Sequence, residues 1–218
     1  MLSSGFKTLI QSIPFLGDGL LTTLKIGIYS ILIGSFGGVA FGLLRVARVK
    51  WLRIVTRSYL ELFRVIPIIV WLFIVFFGIP MATGLNISGE VAAILVFSLW
   101  GIAEMGDIVR GALESLPRTQ VEAGKAIGLN QLQLYIYILI PQAIRRMVPA
   151  GINLATRMIK TTSLTVLIGV VDVIKSGQQL IERTKESFWI YSFLFLLYFL
   201  LCYPLSSWSR YLEKAWQD

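Results

Sequence analysis

Five stretches of this chain, residues 19–44, 59–79, 90–110, 147–171 and 189–208, are apolar enough for a bilayer rather than water to set their structure. About 20 mostly apolar residues in a helix cross the hydrocarbon core. The first stretch carries Lys25 as its single charge, and the last carries none. Hydrophobic residues make up 56% of the 218 and charged residues only 15%, against roughly 25% in soluble domains. The expectation is an all-α integral membrane protein, with one transmembrane domain over residues 1–218 and no soluble domain.

Charge orients the spans. Arg45, Arg48, Lys50, Arg53 and Arg57 follow the first span with no acid before Glu61. Short basic loops stay in the cytoplasm, so this loop is expected inside and the N-terminus outside. Five crossings then leave the C-terminus inside, beside Arg210 and Lys214. The charge-free loop 80–89 fits an external position, and Trp189 and Trp208 bracket the last span as an aromatic belt does. The formal net charge of +8 thus belongs to membrane loops, and no nucleic-acid partner is expected. No histidine and one cysteine, Cys202, exclude histidine-based nucleophiles, a disulfide framework and the commonest zinc sites. Residues 1–18 lack the pattern of a removable signal peptide and read as a weak amphipathic piece, either an interfacial helix or a frayed end.

Polar groups inside spans are costly and therefore informative. Ser30, Gly34, Gly38 and Gly42 recur every fourth residue and leave a smooth stripe where another backbone can approach. That stripe suits packing within one subunit, or a moving or dimer interface. Glu61 and Arg64 are spaced to pair along a helix, which Pro67 bends or breaks. Glu104 and Asp107 share one face of the third span, where an acid costs about 2.5–3.5 kcal/mol near the centre. Asp107 lies three residues from Arg110 and reads as a structural ion pair. The deeper Glu104 reads either as a pathway group or as a partner neutralising cations. Asn153, Thr156, Arg157, Lys160 and Thr161 fall at i, i+3, i+4, i+7 and i+8, one face of a helix. One reading makes this face a charged helix end that snorkels or pairs with Glu104; the favoured one makes Glu104, Asn153, Arg157, Lys160 and Thr161 the lining of a watery path, whose cations could hold a carboxylate.

Residues 117–143 form a polar insert between the third and fourth spans. Residues 122–126 read as a short helix, and Gly128 with Asn130 as its stop. A second run, 132–140, is expected to end at Pro141. The chain holds no G-x-x-x-x-G-K-[ST]: Gly124-Lys125-Ala126 lacks both the hydroxyl residue and the upstream glycine. If it transports, it borrows its energy source and oligomerises, since five helices are few to enclose a polar path.

The insert has a known likeness. Glu122-Ala123-Gly124, then Gly128, then Ile138-x-Ile140-Pro141 resembles the EAA loop of permease subunits of binding-protein-dependent ATP-binding cassette importers. That pattern is E-A-A-x-x-x-G followed by I-x-L-P; Gly124 replaces the second alanine and Ile140 the leucine. Residues 106–113, GDIVRGAL, are similar to the A-E-I-x-R-G-G-I segment of the polar amino-acid branch. Pro141-Gln142-Ala143 matches its P-Q-A. Residues 160–164, KTTSL, are similar to K-D-T-S-L with Thr161 in place of the acid, and residues 63–67, FRVIP, to F-R-G-T-P. The resemblance implies a type I importer permease of the histidine, glutamine and glutamate branch, in the bacterial cytoplasmic (inner) membrane. It also implies a dimer with an identical or homologous second permease chain. Through Glu122, Ala123, Gly124, Gly128 and Pro141 the loop would dock on P-loop ATPase subunits, which bind ATP and Mg. An external binding protein would deliver a polar amino acid. This chain would then be non-catalytic, hold no cofactor or metal, and touch membrane lipid.

Two other classes compete. A secondary transporter or channel subunit would use the Glu104, Arg157 and Lys160 face as an ion path; the coupling loop and the missing inverted repeat count against it. An intramembrane enzyme would need a Ser163–Lys160 pair, and no oxyanion donors accompany those residues. A third reading, a permease for another solute class such as methionine or an opine, is separated only by binding data.

Overall fold

The computed structural model describes residues 2–47 and 49–216; Arg48, one of the cations of the basic loop, lies outside them. Among the described residues there are helices and no strands. α1 (Leu2–Gln11) leads into α2 (Ile13–Val46), α3 (Lys50–Val65), α4 (Ile68–Phe73) and α5 (Ile79–Thr83). Next come α6 (Gly89–Glu114), α7 (Arg118–Ala126), α8 (Gln131–Leu134), α9 (Ile140–Thr161), α10 (Val173–Thr184) and α11 (Ser187–Ala215). π turns at Ile74–Gly78 and Tyr135–Leu139 join α4 to α5 and α8 to α9, and a 3-10 stretch, Thr162–Ile168, follows α9.

Three of these helices, α2, α6 and α11, are long and apolar enough to cross a membrane. A fourth candidate is the pair formed by α3 and Ile68–Thr83, bent by 99°. The expected second span, 59–79, is therefore not one rod. Pro67 has no N–H to donate and forces Ile66 into an extended conformation, φ −88 and ψ 125. Residues 59–65 end α3, and the apolar leg starts afresh at Ile68. The expected fourth span, 147–171, also differs. Its helix ends at Thr161, tightens into the 3-10 stretch and stops at Gly169, φ 79. The polar face of α9 lowers its hydropathy below that of an apolar crossing helix.

α2 and α6 pack along most of their length, and the small-residue stripe is the reason. A Cβ on Gly34 would sit 3.1 Å from the Gly101 Cα, and one on Gly42 only 2.5 Å from the Val109 Cβ. The stripe thus serves packing within the subunit. Ile26, Leu72, Val96, Phe97, Val109, Leu154 and Met158 form the main core around this seam. α9 lies against both α6 and α11, and Ser209 Oγ on α11 donates to the Pro149 carbonyl at 2.8 Å. The amphipathic N-terminal helix α1 packs on the last helix, with the Phe6 and Trp189 rings 5.8 Å apart edge to face. Lys25, the single charge of the first stretch, bonds Glu90 at 2.7 Å.

Candidate functional site

Two features stand out: a hairpin made by α7 and α8, and a ladder of charges on α6. The hairpin begins at Pro117, whose φ of −60 is ready for a helix start. α7 is longer than residues 122–126 and runs back to Arg118. Gly128 closes it in the left-handed conformation, φ 83. The Leu129 N–H donates to the Gly124 carbonyl and the Gly128 N–H to the Lys125 carbonyl, both at 3.0 Å. These are the two bonds of a Schellman cap, satisfying carbonyls the helix leaves open.

Asn130 does not help stop α7. It starts α8: its Oδ1 accepts the Gln133 N–H at 2.9 Å, while Gln133 Oε1 accepts the Asn130 N–H at 3.0 Å. This reciprocal capping box fixes the turn from the other side. Pro141 does not end the second run either. The π turn Tyr135–Leu139 widens the helix just before it, and Pro141 sits in the first turn of α9. There its missing N–H costs little.

The small size of Gly124 serves the hairpin itself. It is buried, and a Cβ on it would lie 2.5 Å from Leu134 Cδ1. Glu122 and Ala123 are exposed, as are Ile127 at 75% and Leu132 at 69%. The hairpin therefore offers two large apolar side chains to whatever lies beyond it. Its root is fixed by Arg146, whose Nη1 donates to both the carbonyl and the Oγ of Ser115 at 2.7 Å.

The ladder is centred on Asp107. Its carboxylate accepts from Arg45 Nη1 at 2.6 Å, Arg64 Nη2 at 2.7 Å and Arg110 Nη2 at 2.9 Å. Arg110 continues to Glu114. Arg64 also reaches up to Glu104 Oε1 at 3.2 Å, and Arg157 Nη2 reaches Glu104 Oε2 at 3.0 Å. The Arg157 guanidinium lies 5.9 Å from the Trp100 ring centre. The expected Asp107–Arg110 pair is present. The expected Glu61–Arg64 pair is not: Arg64 turns to α6, where two carboxylates await it. Arg45, in the sequence only an orientation signal, is buried on Asp107. Its position three residues after Gly42, in line with the stripe, is the signal that it faces α6.

The assigned pathway residues do not meet in one pocket of this chain. Glu104 and Arg157 are bonded together. Lys160 lies on a groove of about 670 Å³ between α9 and α11, with Tyr198, Cys202 and Arg210. Asn153 borders a separate cavity of about 260 Å³ with Arg145, Arg146 and Glu213. The Thr161 hydroxyl donates to the Arg157 carbonyl at 2.9 Å and so bonds its own helix. Asn153, Arg157 and Lys160 nonetheless share an exposed face of α9.

The family profile described as "Binding-protein-dependent transport system inner membrane component" matches residues 30–218. The chain belongs to this family. The permease is 32% identical over 206 residues to the probable glutamine ABC transporter permease protein GlnP of Bacillus subtilis, covering 93% of this chain and 94% of that protein. It is 33% identical over 208 residues to the L-cystine transport system permease protein TcyL of Bacillus subtilis, covering 93% and 87%. Among solved structures, it matches an amino acid ABC transporter crystallised with histidines at a TM-score of 0.89. Identity there is 26%, over 96% of this chain and 98% of that one. An inward-facing methionine transporter, MetNI, shares the fold at a TM-score of 0.66 and 20% identity, over 92% and 95%. The permease thus has the all-helical type I importer fold that the EAA-like loop implied.

Proposed function

We propose that this permease is the transmembrane subunit of an ATP-driven importer for a polar amino acid. The observation that carries the coupling role is the hairpin of α7 and α8. It is locked by a Schellman cap and a capping box and presents Ile127 and Leu132 outward. A rigid projection with exposed apolar ends suits insertion into a partner, because little ordering entropy is lost on docking. The partner is a separate P-loop ATPase that binds ATP and Mg, and Glu122 and Ala123 lie on the docking surface. Gly124, Gly128 and Pro141 hold the hairpin's shape.

The chain crosses the bacterial inner membrane five times, N-terminus outside and C-terminus inside, with the broken second span and α9 as crossings. A second permease chain covers the exposed face of α9, so that Asn153, Arg157, Lys160 and Thr161, with Glu104 behind them, border the path. An external binding protein supplies the amino acid, in keeping with the family's description as binding-protein-dependent and with the amino acids in its relatives' names. The nucleotide chemistry belongs to the ATPase, and this chain is non-catalytic.

Gly128→Val tests the coupling. A β-branched residue in the left-handed conformation costs about 1–2 kcal/mol, enough to open the Schellman turn. Co-purification with the ATPase and uptake should both fall while the helical spans remain folded. Normal assembly with normal uptake would remove the hairpin from the coupling role.

A further inference from the structure

α3 has three distinct sides. Thr56, Leu60 and Phe63 are buried against the protein. Trp51, Ile54, Val55, Leu62 and Val65 form a second side, exposed and apolar, from 48% at Leu62 to 75% at Val65. Arg53, Arg57, Glu61 and Arg64 follow one another at i, i+4, i+8 and i+11 on the third. The 99° bend after α3 turns this helix away from the apolar leg that follows it. An amphipathic helix turned out of the spanning direction, with an exposed apolar side next to a basic one, suits the level of the lipid headgroups.

The basic side borders a cavity of about 280 Å³ between α2, α3 and α6, lined by Arg45, Arg53, Arg57, Arg64 and Arg110, with Glu61, Asp107 and Glu114 as its acids. Five guanidinium groups face three carboxylates. Asp107 already holds Arg45, Arg64 and Arg110, and Glu114 holds Arg110. Among the described residues, Arg53 and Arg57 make no ion pair. They stand at the rim, exposed, one helical turn apart. The cavity therefore keeps a positive surplus, and its free donors are guanidiniums, the groups best matched to phosphate oxygens.

We propose that this cavity binds the phosphate headgroup of an anionic phospholipid, with Arg53 and Arg57 as the two principal contacts. The exposed apolar side of α3 selects a lipid over a free phosphate, because it lies in the acyl region while the arginines reach the headgroup. The occupied site pins the basic end of α2, α3 and the Asp107 ladder to the leaflet surface. The leaflet concerned rests on the topology given above: it is the cytoplasmic one, where anionic lipids concentrate.

Native mass spectrometry of the full chain in detergent, with phosphatidylglycerol or phosphatidylcholine added, tests the site. The chain should retain one phosphatidylglycerol in preference to phosphatidylcholine, and excess inorganic phosphate should not displace it. Arg53→Gln with Arg57→Gln should weaken retention about 30-fold, from roughly fivefold per arginine at a membrane surface. Arg53→Lys with Arg57→Lys keeps the charge and should bind between the wild type and the glutamine pair, which separates lost recognition from lost folding. Equal retention of the two lipids, wild-type binding by the glutamine pair, or displacement by phosphate overturns the proposal. Binding in micelles does not depend on topology. Labelling of an Arg53→Cys variant by an impermeant maleimide from outside the cell would instead overturn the leaflet assignment alone.

Discussion

Replacing Glu104 by glutamine separates a structural tie from a solute contact. The Glu104 side chain is 12% exposed and bridges Arg64, 43% exposed, and Arg157, 53% exposed. A hydrogen bond to a charged group contributes about 1.5–3 kcal/mol when well buried, but an exposed ion pair only about 0.2–1. With one buried partner and two half-exposed ones, each contact is placed at about 0.5–1 kcal/mol. Glutamine offers a single acceptor oxygen and turns an N–H2 toward the other guanidinium, so both contacts suffer. The expected loss is about 1–2 kcal/mol, or a fall in apparent melting temperature of roughly 2–8 °C for a chain of this size. Arg157→Gln alone should lose the Glu104 contact, and the double variant should fall short of the summed losses by about 0.5–1 kcal/mol. Thermal unfolding in detergent measures all four proteins. Fully additive losses would refute the tie. So would a Glu104→Gln protein of unchanged stability whose preference among glutamate, glutamine, arginine and histidine in uptake competition has shifted; that result makes Glu104 a solute contact.

Other consequences follow from the same geometry. Gly38→Leu drives a side chain into Met105 at the α2–α6 seam and should cost about 1–3 kcal/mol through overpacking, seen as reduced yield and earlier unfolding. Gly111→Ala meets no neighbour within 4 Å and should stabilise α6 by about 0.5–1 kcal/mol in the same assay. Asp172, in the segment before α10, is fully buried, and burial pushes its carboxyl up to about 6 against the pull of the Lys175 N–H. Its folded value lies above the ordinary 3.8, so its neutral form favours the fold; that benefit is full below about pH 4 and gone above about pH 6. Asp172→Asn keeps a cap acceptor and should gain stability over the wild type as pH rises through this window, by roughly 3 kcal/mol at pH 8, with no such gain at pH 4. A pH-independent difference between the two proteins would contradict this.

The local parts of the architecture were legible in the sequence. Gly128 marked the end of α7 because a left-handed residue leaves a chemical signature. Asn130 beside it was read as part of the same stop, although its capping partner, Gln133, stands three residues on. The small-residue stripe on α2 was visible, but a stripe on one helix does not name its partner, and Gly101 and Gly106 carry no period of their own. Pro67 announced a break without its angle, which depends on how α3 packs. Least visible were the long-range pairs. Arg64 lies three residues from Glu61 in sequence, yet α6 brings two carboxylates to it, and spacing along one helix cannot register that competition. Spacing puts the polar residues of α9 on one side, where Asn153, Arg157 and Lys160 share an exposed face while Thr156 is buried. Arg157 turns to Glu104 on α6, a partner that spacing along α9 cannot register.

The central claim is that this chain moves solute only when an ATPase grips the α7–α8 hairpin. The most direct measurement is uptake of a labelled amino acid into proteoliposomes containing the permease, its ATPase and the binding protein, with the ATPase or ATP left out in turn. Uptake should require both and should vanish for the permease alone under any ion gradient. Gradient-driven uptake by the permease without the ATPase would contradict the account.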